Sequence, residues 1–291
     1  MAEPNGAPEE HDRLLREAAE STADLERGEL PVESRRRLAQ ETGDHPVYAT
    51  GLSVNEFLLT RAAGYEPLGL VLGSSIYHVG WQTTWYQTGE MNVVTRAHLE
   101  ARRLAMGRME QEARALRAHG IVGVRLTMRD TGFAGDVLEF TATGTAVRLR
   151  GAPPAETPFM SDLSGDDFWT LLRSGYVPRG LVMGFCAYHV YWPNGPGGFS
   201  QNAEWGPYTA GVYQSRRLAM ARLHDDIRRV GADGVAGVQV ESEVHGEYES
   251  GSAQRRTLRA TFLAIGTAIS GGGRAVRPPP PLQMIDLRSR Q

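Results

Sequence analysis

Residues 67–79 read PLGLVLGSSIYHV, and residues 178–190 read PRGLVMGFCAYHV. The two stretches share Pro, Gly-Leu-Val, Gly and Tyr-His-Val at a constant separation of 111 residues (178 − 67). A short apolar run bounded by turn residues is typical of a buried β-strand. The sequence therefore predicts two equivalent core strands, one in each half of the chain.

The correspondence extends in both directions from these strands. The matched stretches are Leu52-Ser53 with Leu163-Ser164, Arg102–Met106 with Arg216–Met220, and Gly144–Ala146 with Gly266–Ala268. Two insertions, of three and eight residues, shift the register between them. One register held over this length predicts a tandem duplication. We expect a polar helical N-terminal extension (1–44), two repeats (45–151 and 152–270) and a Gly/Pro-rich C-terminal tail (271–291).

Each repeat has the pattern of a small α+β domain. Ser53 and Glu56 form a capping-box signature that predicts a short helix from Val54. A long amphipathic helix is predicted around residues 99–116, with Gly120 as the glycine that follows its end. Alternating apolar residues at 122–128 and 138–142 predict two closing strands. The expected unit is a small antiparallel sheet packed by one long helix and one short helix.

The junction between the long helix and the next strand resembles that of the YbjQ-like heavy-metal-binding family. The stretches that carry the resemblance are GADGVAGV at 231–238, AHGIVGV at 118–124, and Gly-Thr-Ala at 144–146 and 266–268. In two copies it covers about three quarters of the chain. The resemblance implies the same helix-on-sheet fold, assembly into pentameric rings and a heavy-metal-binding role.

Composition excludes several classes of protein. All 31 basic residues are Arg, and the absence of Lys rules out a Walker A loop, a Schiff-base enzyme and an ordinary kinase. A net charge of −3 argues against a nucleic-acid partner. Cys186 is the single cysteine, so no intrachain disulfide forms. With no signal peptide and no apolar run long enough to span a bilayer, we expect a cytoplasmic protein without a membrane partner.

Tyr77-His78 and Trp81 recur as Tyr188-His189 and Trp192, where each predicted core strand meets a loop. A metal site needs three or four converging donors, and each repeat supplies one such histidine. A zinc, nickel or copper site would therefore combine His78 and His189, with Cys186, from neighbouring repeats or chains. The alternative is that both histidines hold loops by hydrogen bonds and that no cofactor is bound.

Two further hypotheses concern Cys186 and the aromatic loops. Cys186 precedes His189 by three residues, and the two could form a nucleophilic pair only if the strand has already ended. Clustered loop aromatics either form a surface for a ligand or partner or fold back over the sheet. The candidate surface residues are Tyr77, Trp81, Trp85, Tyr188, Trp192 and Trp205.

Taken together, these patterns favour a non-enzymatic binding or scaffold protein that forms a homo-oligomeric ring, most simply a pentamer. Edge strands and an uncovered sheet face in so small a domain favour self-association. The C-terminal tail is a candidate contact for a protein partner. The alternatives are heavy-metal binding or sensing through His78 and His189, and an enzyme centred on Cys186.

Overall fold

A computed structural model describes residues 7–42, 48–81, 87–130, 137–192, 202–249 and 255–271. The elements, in chain order, are α1 (Ala7–Glu26), α2 (Val32–Glu41), α3 (Val54–Ala62), β1 (Tyr65–His78), β2 (Gly89–Glu90), α4 (Asn92–Ala115), β3 (Gly120–Asp130), β4 (Val137–Leu149), β5 (Phe159–Met160), α5 (Gly165–Arg173), β6 (Tyr176–Trp192), α6 (Gly206–Arg229), β7 (Gly234–Glu249) and β8 (Arg255–Gly271). The fold is α+β, as predicted. We call α3 to β4 the first unit and α5 to β8 the second unit, since both contain a short helix, a long strand, a long helix and two final strands.

Each unit contributes three antiparallel strands to one of two four-stranded sheets. The strand orders are β1-β4-β3-β5 and β2-β6-β8-β7. The fourth strand of each sheet has only two residues and comes from outside that unit. In the first sheet, β5, which lies just before the second unit, pairs with β3. In the second sheet, β2, which belongs to the first unit, pairs with β6. The two sheets are therefore joined by an exchange of short strands, which the sequence pattern does not predict.

The long helix of each unit packs directly on the first strand of that unit, β1 or β6, at a glycine. A Cβ on Gly73 would overlap the carbonyl oxygen of Ala105 in α4, and a Cβ on Gly184 would overlap that of Ala219 in α6. These close approaches explain why both quoted stretches carry Gly at this position. The cores lie beneath the helices, around Val71 and Met109 in the first unit, and around Val182 and Leu223 in the second.

Local signals predict some helix ends correctly and one wrongly. The predicted capping box is confirmed: Ser53 accepts a hydrogen bond from the backbone of Glu56, and the Glu56 side chain accepts one from Ser53. The prediction that Gly120 follows the end of α4 is wrong, because α4 ends at Ala115 and Gly120 begins β3. Arg117 takes the left-handed conformation instead, at φ 55°. In the second unit the matching position is Gly231, at φ 65°.

The predicted N-terminal extension contains the helical hairpin α1–α2, which lies against the first unit. Leu38 is buried in the first core, and Arg37 forms an ion pair with Glu112 of α4. Most of the predicted tail, 272–291, lies outside the described residues. No helix in the described part of the chain is both long and apolar enough to cross a membrane.

Candidate functional site

The two matched histidines have different environments. His78 lies at the end of β1 and is exposed. His189 is only 3% exposed, and its Nδ1 lies 2.8 Å from the carbonyl oxygen of Gln87. The strand β6 continues past His189 to Trp192, so it has not ended before this histidine, as a Cys186–His189 pair would require. Within the described ranges, no three His, Cys, Asp or Glu side chains come close enough to hold a metal ion.

Cys186 is a buried residue of the second core. Burial raises the pKa of its thiol to about 11, and the nearby Glu90 carboxylate raises it further, whereas Arg222 opposes the shift. A thiolate is the nucleophilic form of cysteine, and this environment disfavours it. Cys186 and His189 both lie within β6, where residues three apart point to opposite faces. The local geometry therefore does not form the proposed nucleophilic pair.

The structure describes five of the six candidate aromatic residues, and four of these pack against other parts of the protein. Tyr77 packs against the first core and Tyr188 against the second. Trp192 and Trp205 both contact the ring of Tyr208, at centroid distances of 5.4 and 5.7 Å. Trp81 is exposed, and Trp85 lies outside the described residues.

Several polar groups form hydrogen bonds and an ion pair where the two units touch. The backbone of Met91, next to β2, donates to the carbonyl of Ala187 at 2.8 Å. Beside it, Arg222 of α6 donates to the carbonyl of Phe185 at 3.0 Å and forms an ion pair with Glu90 of β2 at 2.6 Å. The guanidinium group therefore connects the short strand of the first unit to the helix and central strand of the second.

The N-terminal half of α4 continues this contact along β6. Thr95 accepts a hydrogen bond from the backbone of Ala187 at 3.1 Å, and the His98 ring stacks on Phe185 with centroids 4.2 Å apart. Further along, Arg102 is buried and donates to the carbonyl of Leu181 at 3.4 Å. Burial lowers the pKa of Arg102 to about 10, and Asp226 partly offsets this. A buried guanidinium needs such acceptors to remain charged.

The segment that leads into the second unit forms the other part of the contact. Its backbone adds to the outer edge of β3, where Ser161 donates to Ile121 at 2.9 Å and Gly123 donates to Leu163 at 3.0 Å. The Ser161 hydroxyl also lies 2.9 Å from that of Thr267 in β8. Burial raises the pKa of the neighbouring Asp162 carboxyl, while its hydrogen bond from Thr267 opposes the shift. This segment therefore bonds to both sheets at once.

Sequence reasoning did not identify these residues, although one signal was present. Glu90 and Glu204 occupy matched positions two residues before the long helices, and Arg108 and Arg222 occupy matched positions within them. Because an acid and a base recur at matched positions in both units, these four residues could have been chosen as candidates. Their contact requires β2 to reach the other unit, which local patterns do not reveal.

The fold and contacts define an α+β protein whose two units are joined by exchanged strands and buried polar groups. A family model described as "Putative heavy-metal-binding" (YbjQ) matches residues 67–150. An encapsulin nanocompartment protein of Mycobacterium tuberculosis is 44% identical over 247 residues, which cover 78% of this chain and 91% of that protein. The chain therefore belongs to the family of this mycobacterial protein and contains a YbjQ-type domain.

Two UPF0145 proteins match shorter stretches. One from Halorubrum lacusprofundi is 40% identical over 91 residues, covering 29% of this chain and 86% of that protein. One from Clostridium perfringens is 46% identical over 59 residues, covering 20% of this chain and 54% of that protein. No solved structure matches the chain significantly.

These comparisons correct the function expected from the sequence. The sequence favours a non-enzymatic ring-forming binding or scaffold protein, with metal binding through His78 and His189 or a Cys186-centred enzyme as alternatives. The mycobacterial relative, which matches most of the chain, is instead named as a nanocompartment protein. The physical reason for the error is that matched histidines and a nearby cysteine suggest chemistry, whereas His189 and Cys186 are buried in structural contacts.

Proposed function

We propose that this chain is a structural, non-enzymatic component of an encapsulin-type nanocompartment and that it associates with further copies of itself. The observation that carries the proposal is the 44% identity to the mycobacterial nanocompartment protein, which extends over 247 residues. The YbjQ-type match covers residues 67–150, so a match over 247 residues extends well beyond a single domain of that size. The proposal therefore concerns the whole two-unit chain and not an isolated domain.

The contacts in the candidate site favour a structural role over a catalytic one. Arg102, His98 and Asp162 are buried polar residues. Arg102 and His98 contact Leu181 and Phe185 of the second unit. Asp162, in the segment between the units, accepts hydrogen bonds from Arg125 of the first unit and Thr267 of the second. An enzyme needs polar groups that converge on a space open to substrate. In this protein the corresponding groups bond to one another or to the backbone, which stabilises a defined arrangement of the two units.

We also infer that the two units are tandem copies of one YbjQ-like domain, with the boundaries 45–151 and 152–270. Supporting this, β1 pairs with β4 and β6 pairs with β8 with an irregularity at the same place, between Pro67 and Gly69 and between Pro178 and Gly180. The helices α4 and α6 both have 24 residues. A duplication predicts this agreement because equivalent sequences fold with equivalent registers.

Sedimentation of nanocompartments tests the proposed function. The full chain, carrying an N-terminal tag, is expressed in the organism that encodes it, and the lysate is separated on a sucrose gradient. We expect the chain in the fast-sedimenting fractions, with particles visible by negative-stain electron microscopy. The control is an unrelated tagged protein of similar mass, about 31.9 kDa. If the chain stays with this control in the slow fractions, the proposal is wrong.

The number of chains per assembly, expected to be five, stays a prediction that mass measurement checks.

A further inference from the structure

The contact between the two units has two parts. For each part, the chain also contains matching residues that do not make such a contact among the described residues. In the first part, residues 159–163 add to the outer edge of β3. The matched edge is that of β7, which begins at Gly234 as β3 begins at Gly120. No described segment pairs with this outer edge of β7. The segment that matches 159–163 is 48–52, and no described strand pairs with it either.

The segment 48–52 bonds to Thr145 of the first sheet as its counterpart 159–163 bonds to Thr267 of the second sheet. Ser161, just before the second unit, pairs with Thr267 of that unit. Thr50, just before the first unit, pairs in the same way with Thr145, at 3.1 Å. The backbone of Asp162 donates to Thr267 at 3.1 Å, and that of Gly51 donates to Thr145 at the same distance. The segment 48–52 is therefore held in place, and its other side is available to a neighbouring strand.

The second part of the contact has an equally clear counterpart. Arg108 of α4 donates to the carbonyl of Ser74, as Arg222 of α6 donates to that of Phe185. Arg222 has Glu90 as its ion-pair partner, but Arg108 has no ion pair among the described residues. The residue that matches Glu90 is Glu204, which is exposed. Among the described residues, Glu204 and Arg108 are thus an acid and a base of matched positions that have no ion pair.

Matched positions in the two units differ in burial. One member of each pair is buried in the contact between the units, and the other is exposed on a surface that could form the same contact. Val124 on β3 is 2% exposed, whereas the matching Val238 on β7 is 41% exposed. Ala187 on β6 is fully buried, whereas the matching Ile76 on β1 is 76% exposed. Large exposed apolar residues on a sheet edge favour association, since they add a hydrophobic contribution to strand pairing.

We propose that a second copy of this chain docks head to tail on these surfaces and repeats the contact found between the two units. Residues 48–52 of one copy add to the β7 edge of the other, at Gly234 and Val235. In return, Glu204 of the second copy forms an ion pair with Arg108 of the first. Such a contact is heterologous, so it can continue from copy to copy. The inference deepens the proposed self-association and does not depend on the nanocompartment assignment.

The N-terminal hairpin limits where the second copy can lie. Arg37 donates to the carbonyl of Leu70 at 2.8 Å, as Arg102 donates to that of Leu181. It also pairs with Glu112, which matches Asp226. The hairpin therefore occupies this end of the surface. Arg108 and Ser74 line the cavity between the hairpin and the first unit, so docking uses the open side of this cavity and the strand around Ile76.

Charge exchange tests the proposal on the full chain. The association constant is measured by sedimentation equilibrium at several protein concentrations for the wild type, Glu204→Arg, Arg108→Glu and the double variant. We expect each single variant to associate at least about tenfold more weakly, because two like charges then meet. The double variant, and an equimolar mixture of the two single variants, should recover the wild-type constant within about threefold, because opposite charges meet again. Arg13→Glu, on the exposed face of α1, is the control and should associate as the wild type does.

A second variant guards against a folding defect in Arg108→Glu. Ile76 is exposed, so Ile76→Asp should leave the circular dichroism and melting temperature of the chain unchanged while weakening association. If Glu204→Arg and Ile76→Asp both associate as the wild type does, this surface is wrong, although self-association stands. If the wild type remains a single chain of 31.9 kDa at every concentration, the inference is wrong, and the sedimentation of nanocompartments decides their involvement separately.

Discussion

Glu90 and Arg222 join the two units of this protein through an ion pair with 2.6 Å between Oε1 and Nη2. The carboxylate comes from the two-residue strand β2 of the first unit, and the guanidinium comes from α6 of the second. Because Arg222 also bonds the carbonyl of Phe185, the pair holds β2 on the edge of β6. The contact is partly shielded from water, which makes it stronger than an exposed pair.

Replacing Glu90 with Gln should therefore destabilise the fold. We expect the free energy of unfolding to fall by about 1 kcal/mol, since a charge-assisted hydrogen bond is lost. Urea denaturation at neutral pH measures this. Glu100→Gln is the matched control, because its pair with Arg103 is exposed and should contribute less than about 0.5 kcal/mol. Equal effects of the two substitutions would show that the Glu90 pair has no special role.

The close approach of α6 to β6 predicts a large effect at Gly184. In Gly184→Ala the new methyl group would overlap the carbonyl oxygen of Ala219, so helix and strand must separate. We expect a loss of about 1–3 kcal/mol in unfolding free energy. Gly107→Ala in α4 is the opposite case, because its methyl group would meet no neighbour. That variant should gain about 0.5–1 kcal/mol. A neutral Gly184→Ala would disprove the packing argument.

Arg117 offers a stabilising substitution. Its φ of 55° is unfavourable for a residue with a Cβ, and Gly occupies the matching position 231. Arg117→Gly should raise the unfolding free energy by about 0.5–1 kcal/mol, after allowance for the greater freedom of Gly in the unfolded chain. Thermal and urea unfolding both measure the change. Gly231→Ala should act in the opposite direction, and a loss of stability in Arg117→Gly would contradict the prediction.

The two matched histidines should respond differently to truncation. His189→Ala leaves the Gln87 carbonyl without its partner beside a buried strand, and we expect a loss of about 1–3 kcal/mol. His78→Ala removes an exposed side chain and should change the unfolding free energy by less than about 0.5 kcal/mol. Chemical denaturation of both variants provides the comparison. Similar losses for the two would mean that the hydrogen bond of His189 is unimportant.

The buried thiol of Cys186 predicts a dependence of stability on pH. Its pKa is about 11 in the folded protein against an ordinary value of 9.0. The unfolded chain therefore loses the thiol proton first as the pH rises, so the contribution of the neutral thiol is complete below pH 9 and is lost by about pH 11. The stability difference between the wild type and Cys186→Ala should shrink across this window. A constant difference from pH 8 to pH 11 would contradict the burial of the thiol.

Local features of the fold could be predicted where the signal and the structure involve the same few residues. The Ser53–Glu56 capping box predicts the start of α3 correctly. The apolar pattern of the sequence predicts α4 and the strands β1 and β6. The matching registers of the two halves predict that these elements recur in the same order. These predictions succeed because caps and periodic faces depend on neighbours along the chain.

The candidate site could not be predicted in the same way, since its contacts join residues far apart in the chain. Glu90 and Arg222 are separated by 132 residues, and either one alone resembles an ordinary surface charge. Likewise, His189 and Cys186 suggest chemistry in the sequence but are buried in the structure. Burial depends on which element covers a strand, and β2 covers β6 near His189 while no described strand covers the matching part of β1.

The sequence by itself determined the long helices and strands and their order in the two units, because hydrophobic periodicity and capping depend on residues close together in the chain. Only the tertiary structure decided that β2 and β5 cross to the other sheet, that β6 extends to Trp192 and that Arg117 adopts a left-handed conformation. A two-residue strand has too little local preference to choose a partner. Its position is set by the backbone donors and acceptors that the folded sheet leaves at its edge.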